Sequence, residues 1–288
     1  MLDCRITAAT QRFAVLGESL AHTWSPQIHN SLFAAAGVDA VYLPMTVPRA
    51  QLSSAVDVLR SCYAGFNVTI PYKERIIPLL DEVDAAVLAC GAVNTVENRG
   101  GRLIGHITDG LGMLRAIEEG GVSTRRIDVL ILGGGGAARV AGYEFLQRGC
   151  RVTFAVRSPE KGIQLAKALA ETQPDGMARL CVRPLGDIPG AYELLVNCTP
   201  VGMYPNTSAR PVDIEVIARC RAVFDAVYNP RMTELLNAAC SLHIPCVEGL
   251  GMLFYQAVEA ERFWFGAHRL APERVQQQIY RELLAQMA

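Results

Sequence analysis

The sequence predicts an α/β protein in which an N-terminal α/β domain precedes a doubly wound parallel sheet. Three observations point there. Apolar runs rich in β-branched residues recur over 126–132, 151–156, 193–197 and 222–227, the pattern of strands buried on both faces. Helical patterns near 137–147 and 160–170 separate the first of these runs and make a βαβ series. The first run ends in four consecutive glycines, Gly133 to Gly136. At 288 residues the chain is long enough for two compact domains, and 51% hydrophobic residues can fill substantial cores. We expect a first domain over 1–111, a second over 112–246, and C-terminal helices over 247–288 that return to the first.

In the first part helix and strand alternate. Ser25-Pro26 reads as a helix start, a capping side chain followed by proline in the first turn. Ile28, Leu32, Phe33 and Ala36 line one face of that helix, and Gly37 ends it. A strand over 41–47, a helix near 51–62 and a strand over 65–70 follow. Residues 92–97 and 102–107 read as two strands joined through Asn98-Arg99-Gly100-Gly101, a hairpin-like turn. From Gly249 onward the chain reads as helical, with Leu250, Leu253, Phe254, Ala257 and Val258 at helical spacing.

Composition excludes several functions. With 27 basic against 28 acidic residues, the formal charge of −1 offers no field for nucleic acid and no polybasic patch for a membrane. The apolar runs are far shorter than a membrane span. The N-terminus lacks a basic stretch followed by a long apolar one, so no secretion signal is expected. Nine cysteines, at 4, 62, 90, 150, 181, 198, 220, 240 and 246, include no C-x-x-C pair. Most sit in apolar runs, where a thiol behaves as a small hydrophobe, and the set fits a reducing cytoplasm. Five histidines show no ligand spacing, and no structural metal is expected.

The glycine run carries the first chemical signal. Gly133, Gly135 and Ala138 match G-x-G-x-x-G/A between a strand and a helix. The first glycine allows a tight turn, and the second lets a pyrophosphate approach the backbone. The small third residue lets the helix pack on its strand, and Gly136 and Ala137 open that helix, whose N-terminus meets the phosphates. The expected domain is therefore of the dinucleotide-binding, Rossmann type. A site for NAD usually carries an acidic residue after the second strand. Here that strand runs into Arg157, Ser158, Pro159, Glu160 and Lys161. A guanidinium, a hydroxyl and an ammonium suit a ribose 2′-phosphate, so NADP is the expected cofactor. Glu160 opposes that preference.

Three polar clusters mark the first part: 22-HTWSP; 65-GFNVTIPYK; and 91-GAVNT with 105-GHITDGLG. Polar residues at strand ends are common turn formers, so each cluster alone reads equally as structure or as function. Together, in this order and ahead of a nucleotide fold, they resemble the shikimate/quinate dehydrogenase family. The resemblance runs from Gly17 to about Gly266. The family's N-V-T-x-P-[FY]-K is complete from Asn67 to Lys73, its G-A-V-N-T lies at Gly91–Thr95 and its T-D-G at Thr108–Gly110. Its glycine loop is matched from Gly133 to Arg139. N-x-T-P-x-G-M is matched by Asn197, Thr199, Pro200, Gly202 and Met203, and D-x-x-Y-x-P-x-x-T by Asp225, Tyr228, Pro230 and Thr233. The late G-x-x-M-L-x-x-Q-A is matched by Gly249, Met252, Leu253, Gln256 and Ala257.

The resemblance implies NADP-dependent, reversible reduction of 3-dehydroshikimate to shikimate, a step of aromatic amino acid biosynthesis, by a cytoplasmic monomer or homodimer. It implies Lys73 and Asp109 as the catalytic pair, the lysine exchanging a proton with the reacting oxygen. The competing reading of these two is a salt bridge that only orients the site. Thr23 and Ser25 would hold the substrate carboxylate, and Asn67, Thr69, Asn94, Asp109 and Gln256 its ring hydroxyls. Thr199, Met203 and Gly249 would join the cofactor loop. Tyr228 and Met203 read equally as neighbours of the nicotinamide or substrate and as core packing. The sequence departs from the family at Thr23, where serine is usual, and at Ile107, where the family has asparagine. An added methyl beside a carboxylate can discriminate ring shapes by about 1–3 kcal/mol. Preference for shikimate over quinate is therefore open, and a quinate or dual-specificity dehydrogenase is the nearest alternative. A nucleotide-sensing protein without turnover is the alternative of a different class.

Overall fold

The structure is a computed structural model and describes residues 6–21 and 23–286. His22, in the first polar cluster, and Cys4 lie outside the described residues. The chain divides into two compact units, one of residues 1–108 with 256–288 and the other of residues 109–255.

In the first unit, β1 (Gln11–Gly17), α1 (Ser25–Ala36), β2 (Ala40–Thr46), α2 (Leu52–Cys62) and β3 (Gly65–Val68) come first. β4 (Glu82–Val83), α3 (Ala85–Cys90), β5 (Thr95–Arg99) and β6 (Arg102–His106) follow. The six strands form one mixed sheet in the order β2-β1-β3-β5-β6-β4. β1 pairs parallel with β2 and β3, and β5 pairs antiparallel with β3 and β6. The β5–β6 hairpin turns through Gly100 and Gly101, both with positive φ, as the Asn-Arg-Gly-Gly sequence requires. Phe13, Phe33, Tyr42 and Phe265 pack as a buried aromatic cluster with Trp264 against it. Gly65 is needed there, because a Cβ would lie 2.6 Å from the Trp264 indole nitrogen.

The second unit opens with α4 (Asp109–Glu119). β7 (Asp128–Leu132), α5 (Gly136–Gln147), β8 (Arg151–Val156), α6 (Pro159–Ala170) and β9 (Leu180–Pro184) follow. β10 (Leu194–Asn197), α7 (Ile214–Ile217), β11 (Val223–Asp225), α8 (Glu234–Ser241) and β12 (Cys246–Val247) complete the sheet. All six strands are parallel, ordered β12-β11-β10-β7-β8-β9. Read from the opposite edge and renumbered within the unit, this is the order 3-2-1-4-5-6, the doubly wound dinucleotide-binding arrangement. Residues 129–132 and 194–196 are wholly buried, as their unbroken apolar sequence demands.

α9 (Leu250–Phe265) and α10 (Glu273–Gln286) end the chain, and residues from Gln256 onward belong to the first unit. Among the described residues no helix is long and apolar enough to cross a membrane.

Two local expectations are corrected. Ser25 does not cap α1: Trp24 occupies the cap position without a side-chain bond, and Ser25 is the first helical residue. The third strand stops at Val68 rather than residue 70, because Tyr72 N–H bonds back to the Thr69 carbonyl at 2.9 Å and turns the chain.

Candidate active site

In the first unit the second polar cluster meets the Asn94 and Thr108 segments of the third. β3 delivers Asn67, which is 6% exposed, and β5 begins just after Asn94. The Asn67 Nδ2 donates to the Asn94 carbonyl at 3.0 Å and to Thr95 Oγ1 at 2.9 Å. Its Oδ1 accepts from the Tyr42 hydroxyl at 2.6 Å. Asn94 in turn donates to Thr108 Oγ1 at 3.0 Å and to Gln256 Oε1 at 3.4 Å. Its Oδ1 accepts the Thr108 backbone N–H at 2.7 Å. Five stretches, at Tyr42, Asn67, Asn94–Thr95, Thr108 and Gln256, thus share one buried network, and a backbone partner sets the orientation of the Asn67 and Asn94 amides.

The loop after β3 is tied to the same place. Thr69 N–H donates to the Leu16 carbonyl at 2.9 Å, and Val93 N–H donates to the Lys73 carbonyl at 2.8 Å. Lys73 is half-buried, as are Thr69, Thr23 and Ser25. Thr23 Oγ1 donates to Ser25 Oγ at 3.3 Å, so the two hydroxyls stand together at the start of α1. Since Ser25 caps nothing, its hydroxyl is not consumed by the helix.

Beneath this network lies a pair without a sequence signal. His29 of α1 and Glu261 of α9 are both buried, and Nδ1 meets Oε1 at 3.0 Å. The ring stacks on Tyr42 with centroids 4.2 Å apart. Burial lowers His29 to about 3 and pushes the Glu261 carboxyl well above the ordinary carboxylate range. Both shifts favour the uncharged forms, so the contact is a neutral hydrogen bond rather than an ion pair.

The second unit holds the remaining candidates. Asp109 is the first residue of α4 and half-buried. Gly133 adopts φ +109, and a Cβ there would lie 3.2 Å from the Thr199 methyl and 3.3 Å from the Cys198 carbonyl. Around Gly135 and Gly136 a Cβ would meet nothing within 4 Å, so open space faces the start of α5. Ala138 is completely buried under that helix. At the end of β8, Arg157 and Lys161 are exposed, and Ser158 Oγ donates to Glu160 Oε2 at 3.0 Å. A hydrogen bond from its own backbone, then one from Ser158, lower the Glu160 carboxyl.

The loops after β10 and β11 are joined by Asp225. Its carboxylate accepts from Asn197 Nδ2 at 2.8 Å, Thr233 Oγ1 at 2.6 Å and Val227 N–H at 3.0 Å. Asn197 Oδ1 accepts both the backbone N–H and the hydroxyl of Thr199, at 3.0 and 2.7 Å. Burial raises the Asp225 carboxyl against these three bonds. Tyr228 and Met203, on those loops, are 39% and 46% exposed, which removes the core-packing alternative for both. Gly249 lies against the chain: a Cβ would sit 2.7 Å from the Asp225 and Ala226 carbonyls. Among the described residues no three His, Cys, Asp or Glu side chains gather as a metal site requires.

The sequence singles out Thr108 with its motif but gives it no role, and it points to neither Thr95, which stands inside a quoted motif, nor Tyr42, which carries no signal.

Residues 15–96 match the family model described as the shikimate dehydrogenase substrate binding domain. The chain is 40% identical over 264 residues to the shikimate dehydrogenase (NADP(+)) of Symbiobacterium thermophilum, covering 88% of each chain. It resembles the structure of shikimate 5-dehydrogenase from Thermus thermophilus in complex with NADP(H) and shikimate. There the TM-score is 0.83 and the identity 32%, over 94% of this chain and 99% of that one. Quinate dehydrogenase from Corynebacterium glutamicum in complex with NAD is also similar, at TM-score 0.83 and 29% identity over 96% and 99% of the two chains. On the strength of a relative this similar along nearly its whole length, the chain belongs to the shikimate dehydrogenase family.

Proposed function

We propose that the protein is an NADP-dependent oxidoreductase that interconverts 3-dehydroshikimate and shikimate. The observation that carries this reading is the 40% identity, across 88% of both chains, to a relative named for that activity and cofactor. The second unit is assigned the dinucleotide.

The residues present fit the cofactor. Open space at Gly135 and Gly136 leaves the start of α5 accessible to a pyrophosphate. Arg157, Ser158 and Lys161 supply charged and neutral donors for a 2′-phosphate, and no carboxylate stands at the tip of β8 itself. Gly133, Gly135, Gly136, Ala137, Arg157, Ser158 and Lys161 would hold the adenosine and phosphate portion, with Thr199, Met203 and Gly249 toward the nicotinamide. The bound dinucleotide supplies a hydride to the ketone carbon, or takes one up from the alcohol.

The chain's own residues handle the acid and its proton. Ser25 donates its hydroxyl hydrogen to the substrate carboxylate, and Thr23, whose own is given to Ser25 Oγ in the structure, turns it to the same group when the acid binds. Asn67, Thr69, Asn94, Asp109 and Gln256 receive the ring hydroxyls, and Tyr228 borders the substrate. Both amide hydrogens of Asn67 are already engaged, so it meets a ring hydroxyl through Oδ1, as an acceptor. The Lys73 ammonium gives a proton to the oxygen as the ketone is reduced, and the neutral amine takes it back in oxidation. Asp109 is its carboxylate partner in the catalytic pair.

A cytoplasmic location is proposed from nine cysteines that include no C-x-x-C pair. The near-neutral charge supports small molecules rather than nucleic acid or membrane as partners, and a monomer or homodimer is the assembly we propose.

Steady-state rates with shikimate and quinate, each with NADP and NAD, test the assignment. We expect the highest kcat/KM for shikimate with NADP. A higher value for quinate moves the protein to the quinate branch, and nucleotide binding without turnover makes it a sensor. Lys73→Ala is expected to lower kcat by about 10²–10⁴ while the NADP Kd stays unchanged. Equal turnover in that variant removes the proton-transfer role.

A further inference from the structure

The end of α8 and the start of β12 bring together two thiols that the proposed function does not use. Cys240 lies in the last turn of that helix. Beyond Ser241 the chain reverses: His243 N–H bonds to the Cys240 carbonyl at 3.0 Å and Ile244 N–H to the Ala239 carbonyl at 2.9 Å. His243 is left-handed at φ +56, which completes the reversal. The chain then enters β12, where Cys246 pairs in register with Val223 of β11 and Val223 N–H bonds to the Pro245 carbonyl at 2.9 Å. A helix end on one side and a strand on the other therefore place both cysteines, and their sulfurs stand 3.2 Å apart.

Both are free thiols, Cys240 exposed and Cys246 half-buried. A disulfide needs about 2.05 Å between sulfurs, so closure asks for a shift of roughly 1 Å. We propose that Cys240 and Cys246 form a reversible dithiol–disulfide site that exchanges with low-molecular-weight disulfides such as oxidised glutathione.

The exposed Cys240 reacts first. As thiolate it attacks one sulfur of the small disulfide, forming a mixed disulfide and expelling one small thiolate. Cys246 then loses its proton and attacks the Cys240 sulfur, expelling the second. The two protein thiols are oxidised by two electrons. The small disulfide is reduced to two thiols, which take up the two protons. Burial, and then the neighbouring Cys240 sulfur, push the Cys246 thiol up to about 11, which fits it to the second step rather than the first. Four of the other thiols are poorly placed to compete. Cys90 and Cys150 are buried, and burial pushes Cys198 and Cys220 up to about 12. Cys62 is exposed at the end of α2 and serves as the comparison thiol.

The test incubates the full-length protein with oxidised glutathione over a range of ratios to reduced glutathione, alkylates what remains, and maps the peptides by mass spectrometry. We expect a bridge between Cys240 and Cys246, lighter by two hydrogens than the dithiol and reopened by dithiothreitol, while Cys62 carries a glutathione adduct. In Cys246→Ser the adduct should be trapped on Cys240, and in Cys240→Ser residue 246 should stay alkylatable. Wild-type kcat in both variants certifies that they fold. A stable glutathione adduct on Cys240 in the unaltered protein overturns the proposal. So do two alkylated thiols at every ratio.

Discussion

Tyr42 acts on the candidate site from behind, by holding the Asn67 amide in one of its two orientations. Its hydroxyl is a donor to Oδ1, while the opposite face of the amide meets two acceptors. Tyr42→Phe leaves a buried carbonyl oxygen without this donor, and a group so stranded costs about 1–3 kcal/mol. Chemical denaturation should show a loss of that size, and a variant as stable as the parent would mean that Oδ1 finds another donor. The KM for shikimate should rise with it, while the KM for NADP, whose proposed contacts lie in the other unit, should not. At this scale the sequence was uneven. Asn67, Asn94 and Gln256 stood out because polar residues interrupt apolar segments inside recognisable motifs. Tyr42 and Glu261 looked like ordinary core and surface residues, since nothing local tells a tyrosine or glutamate that its partner lies far along the chain.

α1 and α9 meet through His29 and Glu261, and the shifts of the two groups predict how stability follows pH. His29 falls from 6.5 to about 3 on folding, and Glu261 rises well above 4.5. His29 makes stability fall as pH drops from 6.5 toward 3. Glu261 makes it fall as pH rises from 4.5 toward its raised folded value. The two slopes oppose each other between 4.5 and 6.5, which leaves a plateau. Melting temperature against pH should show this plateau, and Glu261→Gln should flatten the alkaline side. An alkaline decline that survives the substitution would assign it elsewhere. Element boundaries divide by the same logic of local against distant signals. The strands of the second sheet were readable because burial on both faces leaves continuous apolar runs. Gln11–Gly17 forms β1, a strand absent from the sequence expectation. The edge strands β4, β9 and β12 were not readable, because two to five half-buried or exposed residues leave no period.

At the scale of the molecule, the proposed function divides its contacts between two separate sheets. Hydrogen exchange should divide them: 2′,5′-ADP is expected to slow exchange within 109–255, around the turn from β7 into α5 and the start of α6. Shikimate alone is expected to slow it around 67–73 and 94–108. Protection by the nucleotide in the first unit would reverse the assignment. The fold class was legible from the glycine run and the apolar strands together, whereas the ties between loops were not. Asp225 is the clearest of those ties, since one carboxylate holds the roots of the segments after β10 and β11. Two stretches of chain that look independent are therefore fastened at a single knot. Their tips, where Met203, Tyr204, Tyr228 and Met232 are exposed, can be redesigned one residue at a time to explore new substrates. The knot cannot, because a change at Asp225 moves both stretches at once.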